Sequence, residues 1–452
     1  MQKVNKTSLN KSISYLFASN IFNFVIVFIS SIFVFRNINK DDYGLYVLIL
    51  SIFAIVELFM GGYNQSITRF LKENIPAKDK TQIIIYTIYY KYFILSIFLF
   101  LIFIIYQIDF IKYLIRDYSE VSDIVDKYIL VAVLGSILSV LSGISSTILT
   151  TLYHYKITNN SLIIKNSCYL ICVMFLMYFT DDYLIFLYVS LCLNLILFLF
   201  LSFVLSSKYP EYAIYMLLKN KLDLTIYKKY LWSYATPLTL ISILTYVKNH
   251  LPILILGKEF ELEYVAIFSI VKKFFKTLHT ISGSFFQPLL SKFIAIKNES
   301  INEYKFIMNN LYYASFFLRI LIYVTLLFLS DYFFMIYKIE QTYIYGLIFS
   351  ILGFEFIIAG MMTVYGTILN TNKSNKYLLY TSIIRFAVEL SLIYLILFEH
   401  GILGASLIFM VSRMIETFSA YYFVQKKEVL RFDYICVWLL IPFVIYFCLE
   451  LL

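Results

Sequence analysis

The sequence predicts an all-α polytopic membrane protein: two parallel six-helix lobes around a central cavity, with one extra apolar segment at the C-terminus. Three observations carry that prediction. Of 452 residues, 61% are hydrophobic and 14% charged, whereas a soluble domain is roughly half apolar and about a quarter charged. Apolar runs long enough to cross a bilayer recur along the chain, separated by short polar clusters. The second set of runs repeats the first. A soluble fold could not hide this much apolar surface, so a cytosolic enzyme and a disordered chain are excluded. A membrane barrel would show ~10-residue alternating segments, so helix is the remaining state.

A crossing helix needs about 20 mostly apolar residues. With polar clusters as punctuation, spans are expected at 13–35, 43–68, 83–106, 128–150, 162–180 and 183–205, which form an N-lobe over 1–205. A second set, 231–256, 264–287, 304–329, 343–369, 377–398 and 401–424, forms a C-lobe over 231–424. The first span follows Lys3, Lys6 and Lys11 as a signal peptide would, but no small-residue cleavage site follows, so it reads as an uncleaved helix. Between the lobes, residues 206–230 carry Lys208, Lys219, Lys221, Lys228 and Lys229, with Tyr215, Met216, Leu217 and Leu218 among them. That composition suits a cytoplasmic amphipathic linker lying on the membrane surface. Residues 425–452 are an extra segment whose apolar run, 434–452, is a candidate thirteenth span.

The formal charge of +9 invites a nucleic-acid reading, but placement explains it. With the N-terminus inside, the cytoplasmic segments hold 20 Lys and Arg and the outer segments 7. This is the positive-inside bias of a membrane protein and not a nucleic-acid footprint. The five cysteines, Cys168, Cys172, Cys192, Cys436 and Cys448, lie in apolar stretches without His or Cys at ligand spacing, so they read as small core residues.

Sliding the second half back by about 222 residues superposes the spans and aligns short matches. Gly61-Gly62-Tyr63-Asn64-Gln65 falls near Gly283-Ser284-Phe285-Phe286-Gln287, each followed by a basic-Phe pair, Arg69-Phe70 and Lys292-Phe293. Thr147-Ile148-Leu149 ends the fourth span and Thr367-Ile368-Leu369 the tenth. Both halves start on one side, so the repeat is parallel, a layout that places a substrate cavity between rocking halves.

Ten basic residues lie within the spans: Lys91, Lys165, Lys248, Lys272, Lys273, Lys276, Lys305, Arg319, Arg385 and Arg413. Lys165 and Lys305 lie near span ends and can snorkel. Arg385 with Glu389, and Arg413 with Glu416, stand at helical spacing as candidate intramembrane pairs. Lys91, Lys248 and Arg319 have no acid at that spacing. Each would cost about 2.5–3.5 kcal/mol facing lipid, so they are expected to face a watered cavity. Lys272, Lys276 and His279 stack along one helical face, with Lys273 beside them. The span acids are Glu57, Glu355, Glu389, Glu416 and Glu450. This basic surplus predicts an anionic cargo. No nucleotide-binding loop, metal motif or hydrolase motif is present, which points away from an enzyme.

The stretch from Tyr43-Gly44-Leu45-Tyr46 through Gly61-Gly62 to Arg69-Phe70 carries a family likeness, as does Tyr234-Ala235-Thr236-Pro237 through Tyr264-Val265-Ala266-Ile267-Phe268-Ser269 to Gln287-Pro288. On these the chain resembles the polysaccharide-transporter family, the lipid-linked oligosaccharide (O-antigen or capsule repeat-unit) flippases of the MOP exporter superfamily, with its MATE-like architecture. The resemblance implies a bacterial inner-membrane flippase that moves an undecaprenyl-pyrophosphate-linked oligosaccharide outward by alternating access, in contact with membrane lipid and other polysaccharide-assembly proteins. Lys91, Lys248, Lys272, Lys276, Arg319 and Arg69 are the expected pyrophosphate- or glycan-facing residues. Glu57, Glu355 and His250 are candidates for gating or for proton or sodium coupling, and no other cofactor is expected. The chain departs from the family in reading Asn249-His250 where many relatives carry an Asp. It departs again in showing thirteen apolar runs where relatives show twelve or fourteen. An ion-coupled multidrug exporter of the same superfamily is the second reading; its acid deep in the N-lobe could only be Glu57. A membrane glycan polymerase is the third, and the long external loop it needs is missing.

Overall fold

In the computed structural model the described residues are 6–53, 64, 70, 77–107, 118–152, 154–180, 183–209, 225, 232–283, 293, 296–297, 299–340, 342–372 and 374–426. Every regular element among them is helical. In chain order these are α1 (Lys6–Asn37), α2 (Lys40–Phe53), α3 (Ala77–Gln107), α4 (Tyr118–Thr151), α5 (Tyr155–Leu176), α6 (Tyr183–Lys208) and α7 (Ser233–Glu259). Then follow α8 (Leu262–Gly283), α9 (Ile301–Phe328), the short α10 (Ser330–Ile336), α11 (Tyr343–Thr371), α12 (Asn375–Leu392) and α13 (Phe398–Lys426). Residues 434–452 and most of 206–230 lie outside the described residues, as do Arg69, Glu57 and the side chain of Lys91.

The protein is a multi-pass membrane protein. Eight described stretches are long and apolar enough to cross a membrane, and the last, Lys376–Lys426, holds two helices. A π turn at Ile393–Leu397 separates α12 from α13, and a positive φ of 53° at Gly401 kinks the start of α13; the two helices pack side by side. Glycine adopts that φ without the steric cost a side chain would add. Of the expected spans, most of 43–68 lies outside the described residues, and α5 and α8 are more polar than these eight stretches. The cause is local: α5 carries Asn159, Asn160, Lys165 and Asn166, and α8 carries three lysines.

Helix ends follow capping chemistry. Ser300 accepts from the Glu303 amide at 3.3 Å in a Ser-x-x-Glu start, and Thr342 accepts from the Tyr345 amide at 3.3 Å. Acids open α2, α8 and α9, while Arg36, Lys208, Lys258 and Lys426 close their helices, in keeping with the helix dipole.

The chain divides into two compact units, Met1–Ser269 and Ile270–Leu452. In unit 1, α4 packs on α6, α5 on α6, α3 on α4 and α1 on α5. Its core is aliphatic: Ile84 and Ile88 on α3, Ile144 and Ile148 on α4, and Leu197, Leu201 and Leu205 on α6 meet at four-residue spacing. In unit 2, α11 packs on α13, α12 on α13 and α9 on α11, the same pairing order. Its core is aromatic, with Phe275 and Phe349 ring centres 4.9 Å apart and Phe274 and Phe333 5.1 Å apart.

The internal repeat is visible in one turn. After α4, the His154 amide donates to Leu149 O at 2.9 Å and Ile157 to His154 O at 3.1 Å. After α11, the Ser374 amide donates to Leu369 O at 2.9 Å and Tyr377 to Ser374 O at 3.0 Å. These are the turns that follow Thr147-Ile148-Leu149 and Thr367-Ile368-Leu369. The units differ in exposure: 78% of the α11 span is buried, against 28% of the Ala18–Asn37 and Leu184–Lys208 spans. Large apolar side chains such as Phe175, Phe203 and Phe328 remain uncovered by protein, as lipid-facing positions require.

Candidate functional site

Unit 2 gathers most of the intramembrane charge. Arg385 and Glu389 face the same way on α12, one turn apart, and Arg385 Nε donates to Glu389 Oε1 at 2.9 Å. On α13, Arg413 Nη1 donates to Glu416 Oε2 at 2.6 Å. Two further bonds cross between helices. Arg385 Nη1 reaches the same Glu416 Oε2 at 2.9 Å, and Arg413 Nε donates to Glu355 Oε1 of α11 at 2.7 Å. Ser412 Oγ completes the chain by donating to Glu389 Oε1 at 2.7 Å. The order is Glu355–Arg413–Glu416–Arg385–Glu389–Ser412, spread over three helices.

Arg385 and Glu389 are each 1% exposed and Glu416 3%. Charges so buried persist only when paired and hydrogen-bonded. Three carboxylates face two guanidinium groups, so the fully ionised cluster carries one uncompensated negative charge. Lys272 of α8 stands nearest to supplying the missing cation. Its electrostatic neighbours include Glu389 and Glu355, and its ammonium lies 3.9 Å from the centre of the Phe409 ring.

A second arrangement centres on Arg319 of α9, which is 1% exposed. Its Nη1 donates to Phe356 O at 2.7 Å and lies 3.0 Å from His279 Nδ1, and its Nη2 donates to Ser282 Oγ. The guanidinium also stacks on the Phe356 ring at 4.5 Å. Gly360 makes room, since a methyl group there would run into the Arg319 side chain. The sequence placed Arg319 toward a watered cavity; in this structure its Nη1 and Nη2 meet protein groups, while the buried Nε has no hydrogen-bond partner among the described residues.

The remaining cations of α8 have no such commitment to the cluster's charge balance. Lys272 is half-buried, and Lys273 and Lys276 are exposed. With Lys272 assigned to the cluster and Arg319 enclosed, Lys273 and Lys276 form the accessible basic face of unit 2. Lys248 (3% exposed) and His250 belong to α7 in unit 1, where His250 stacks on Tyr246 with ring centres 4.4 Å apart. Tyr246 in turn donates to Ser51 O of α2.

Sequence reasoning missed Ser282, Ser412, Phe356, Phe409 and Gly360. None carries a charge, so charge-counting could not find them. Among the described residues, no group of three or more His, Cys, Asp or Glu could hold a metal ion.

A family model described as "Polysaccharide biosynthesis protein" matches residues 33–306. No curated protein matches the chain. Among solved structures, an inward-facing multidrug resistance MATE family transporter of the MOP superfamily is similar with a TM-score of 0.69 at 12% identity, over 90% of this chain and 94% of that one. The lipid II flippase MurJ in an inward closed conformation gives 0.67 at 16% identity, over 91% and 87%. A MOP superfamily transporter from Pyrococcus furiosus, described by the reverse polarity of its binding pocket, gives 0.66 at 12% identity, over 93% and 96%. At these identities the likeness establishes a shared fold.

Proposed function

The chain belongs to the polysaccharide biosynthesis protein family, and from that premise we propose that it is a flippase for an undecaprenyl-pyrophosphate-linked oligosaccharide. It carries the repeat unit from the inner to the outer leaflet of a bacterial cytoplasmic membrane by alternating access, with its N-terminus in the cytoplasm. The product feeds a surface polysaccharide such as O-antigen or capsule. The MOP transporter fold supports a carrier of this kind, since that fold is shared with a lipid II flippase.

One observation carries the choice of cargo. Within unit 2 the carboxylates Glu355, Glu389 and Glu416 are all engaged by arginines, and Lys272 offsets the one negative charge they leave, so the remaining charge is cationic and sits on Lys273 and Lys276 of α8. A pyrophosphate is the anion that such a face attracts, and a transferable lipid tail needs no polar partner. Lys276 is the central residue of this reading, with Lys272 next to it on the stripe between cargo and cluster, and with Lys91, Lys248 and Arg69 as further contacts. Export of a cationic drug would call for an unengaged intramembrane acid, and Glu355, Glu389 and Glu416, the described acids within the spans of unit 2, all pair with arginines.

Replacing Lys272 and Lys276 together by Ala is expected to abolish surface glycan while the protein stays in the membrane. Normal surface glycan in that double variant overturns the assignment.

A further inference from the structure

His279 lies two turns beyond Lys272 on the same face of α8. Its Nδ1 is 3.0 Å from Arg319 Nη1. A guanidinium has five N–H donors and no acceptor. The contact is therefore a hydrogen bond only if Nδ1 carries a lone pair, which puts the imidazole proton on Nε2 and leaves the ring neutral. The lone pair that accepts Arg319 is also the pair that would bind a second proton, and it cannot serve both.

We infer that His279 and Arg319 form a proton-accepting joint: the neutral imidazole adds a bond between α8 and α9 beside that of Ser282, and a proton bound at Nδ1 removes it. The step involves one proton and no other reactant. Imidazole becomes imidazolium, the Arg319 Nη1–H loses His279 as acceptor, Nη1 keeps Phe356 O at 2.7 Å, and Nη2 keeps Ser282 Oγ of α8.

The surroundings decide where the imidazolium turns. From α9 it faces Arg319, from α13 Arg413 and from α11 Glu355. On α8 itself Lys272 and Lys276 precede it along the stripe. Glu355 is the one anion in that set, and it already accepts from Arg413 Nε at 2.7 Å. Proton uptake therefore gives up a bond to α9 and sets the imidazolium between Glu355 of α11, which attracts it, and Arg413 of α13, which repels it. That links the lysine stripe to the buried chain of charges, and the link holds whatever cargo the protein carries.

Histidine tautomers can be read directly by nitrogen-15 NMR on the full-length protein in lipid, labelled at histidine. The chain has only 4 histidines, so single substitutions, including His279→Asn, assign each signal. The expected result is a neutral His279 in the Nε2–H form with an unprotonated Nδ1, converting to the doubly protonated form on acidification with loss of the Arg319 contact. Arg319→Met removes every donor at that position, so the Nδ1–H tautomer should become populated at neutral pH. If that variant fails to fold, the wild-type tautomer alone decides. An Nδ1–H ring in the wild-type protein, or a tautomer unchanged in folded Arg319→Met, overturns the inference. Neither result bears on the flippase reading, which stands or falls on surface glycan.

Discussion

Two helix joints in this protein perform the same mechanical task with opposite chemistry. In unit 1, α1 and α5 are held by neutral groups: Asn166 Nδ2 donates to Asn23 Oδ1 at 2.6 Å, Asn159 Nδ2 to Ser19 Oγ at 2.9 Å, and the Tyr15 hydroxyl to Asn160 Oδ1. In unit 2, α11, α12 and α13 are held by the arginine–glutamate chain. A neutral amide that loses its partner in a bilayer finds another or tolerates the loss at modest cost. A buried charge that loses its partner does not. The neutral joint is therefore a set of separable contacts, and the charged joint behaves as one unit whose members stand or fall together. The carrier proposed above, which must move somewhere while staying rigid elsewhere, has a use for both.

Glu416→Ala tests the charged joint most severely. It leaves Arg385 and Arg413 without the oxygen they share, and breaking a buried pair from one side costs about 3–5 kcal/mol. Thermal unfolding in detergent should show a large drop in midpoint, or no folded protein at all. Glu416→Gln keeps an acceptor and should fall between the two. A near-neutral Glu416→Ala would mean the joint is not a unit, and the contrast with unit 1 would collapse.

The sequence revealed half of that joint. Arg385 with Glu389, and Arg413 with Glu416, share a helix, and spacings of four and three put each pair on one face. The bonds from Arg385 to Glu416 and from Arg413 to Glu355 cross between helices, and nothing in local spacing says which neighbour a side chain will meet. The enclosure of Arg319 was hidden for the same reason: Gly360 means nothing in a sequence until Arg319 lies against it. At the level of the fold, run length and punctuation located the helices well. Polar content in α5 and α8 marked joints and a charged stripe, and both still read as spans because apolar residues flank them. Aromatic richness was visible as a total, but its concentration in the core of unit 2 depends on packing.

The neutral joint makes a smaller prediction. Asn166→Ala removes the 2.6 Å bond to Asn23. Measured side-chain hydrogen bonds between membrane helices average about 0.6 kcal/mol and reach about 1.7. The same unfolding measurement should show a modest loss. Combined with Asn159→Ala the losses should add, because separable contacts are additive when they share no partner. A loss as large as that of Glu416→Ala would show that amides can also act as a unit, and would erase the distinction.

The smallest effect is expected where the two units carry the same turn with different residues. His154 in unit 1 and Ser374 in unit 2 close their turns with matching backbone bonds, but only His154 titrates. Its Nε2 lies 2.8 Å from the Tyr209 hydroxyl. Burial lowers its proton affinity below the ordinary histidine range, and the nearby Lys208 lowers it further. A lowered folded value means that folding favours the neutral ring. Above about pH 6.5 the ring is neutral in both folded and unfolded chains and the turn contributes fully. As pH falls through that value the unfolded chain binds the proton more readily, and stability declines until the folded ring is protonated too. The unfolding midpoint should therefore drop as pH falls below about 6.5. His154→Ser, which installs the unit 2 residue, should flatten that slope. The ring is only partly enclosed and solvent screens it, so the slope will be shallow, below the effect of Asn166→Ala. A slope that survives His154→Ser would move the acid sensitivity out of this turn, and the buried charges of unit 2 would be the place to look for it.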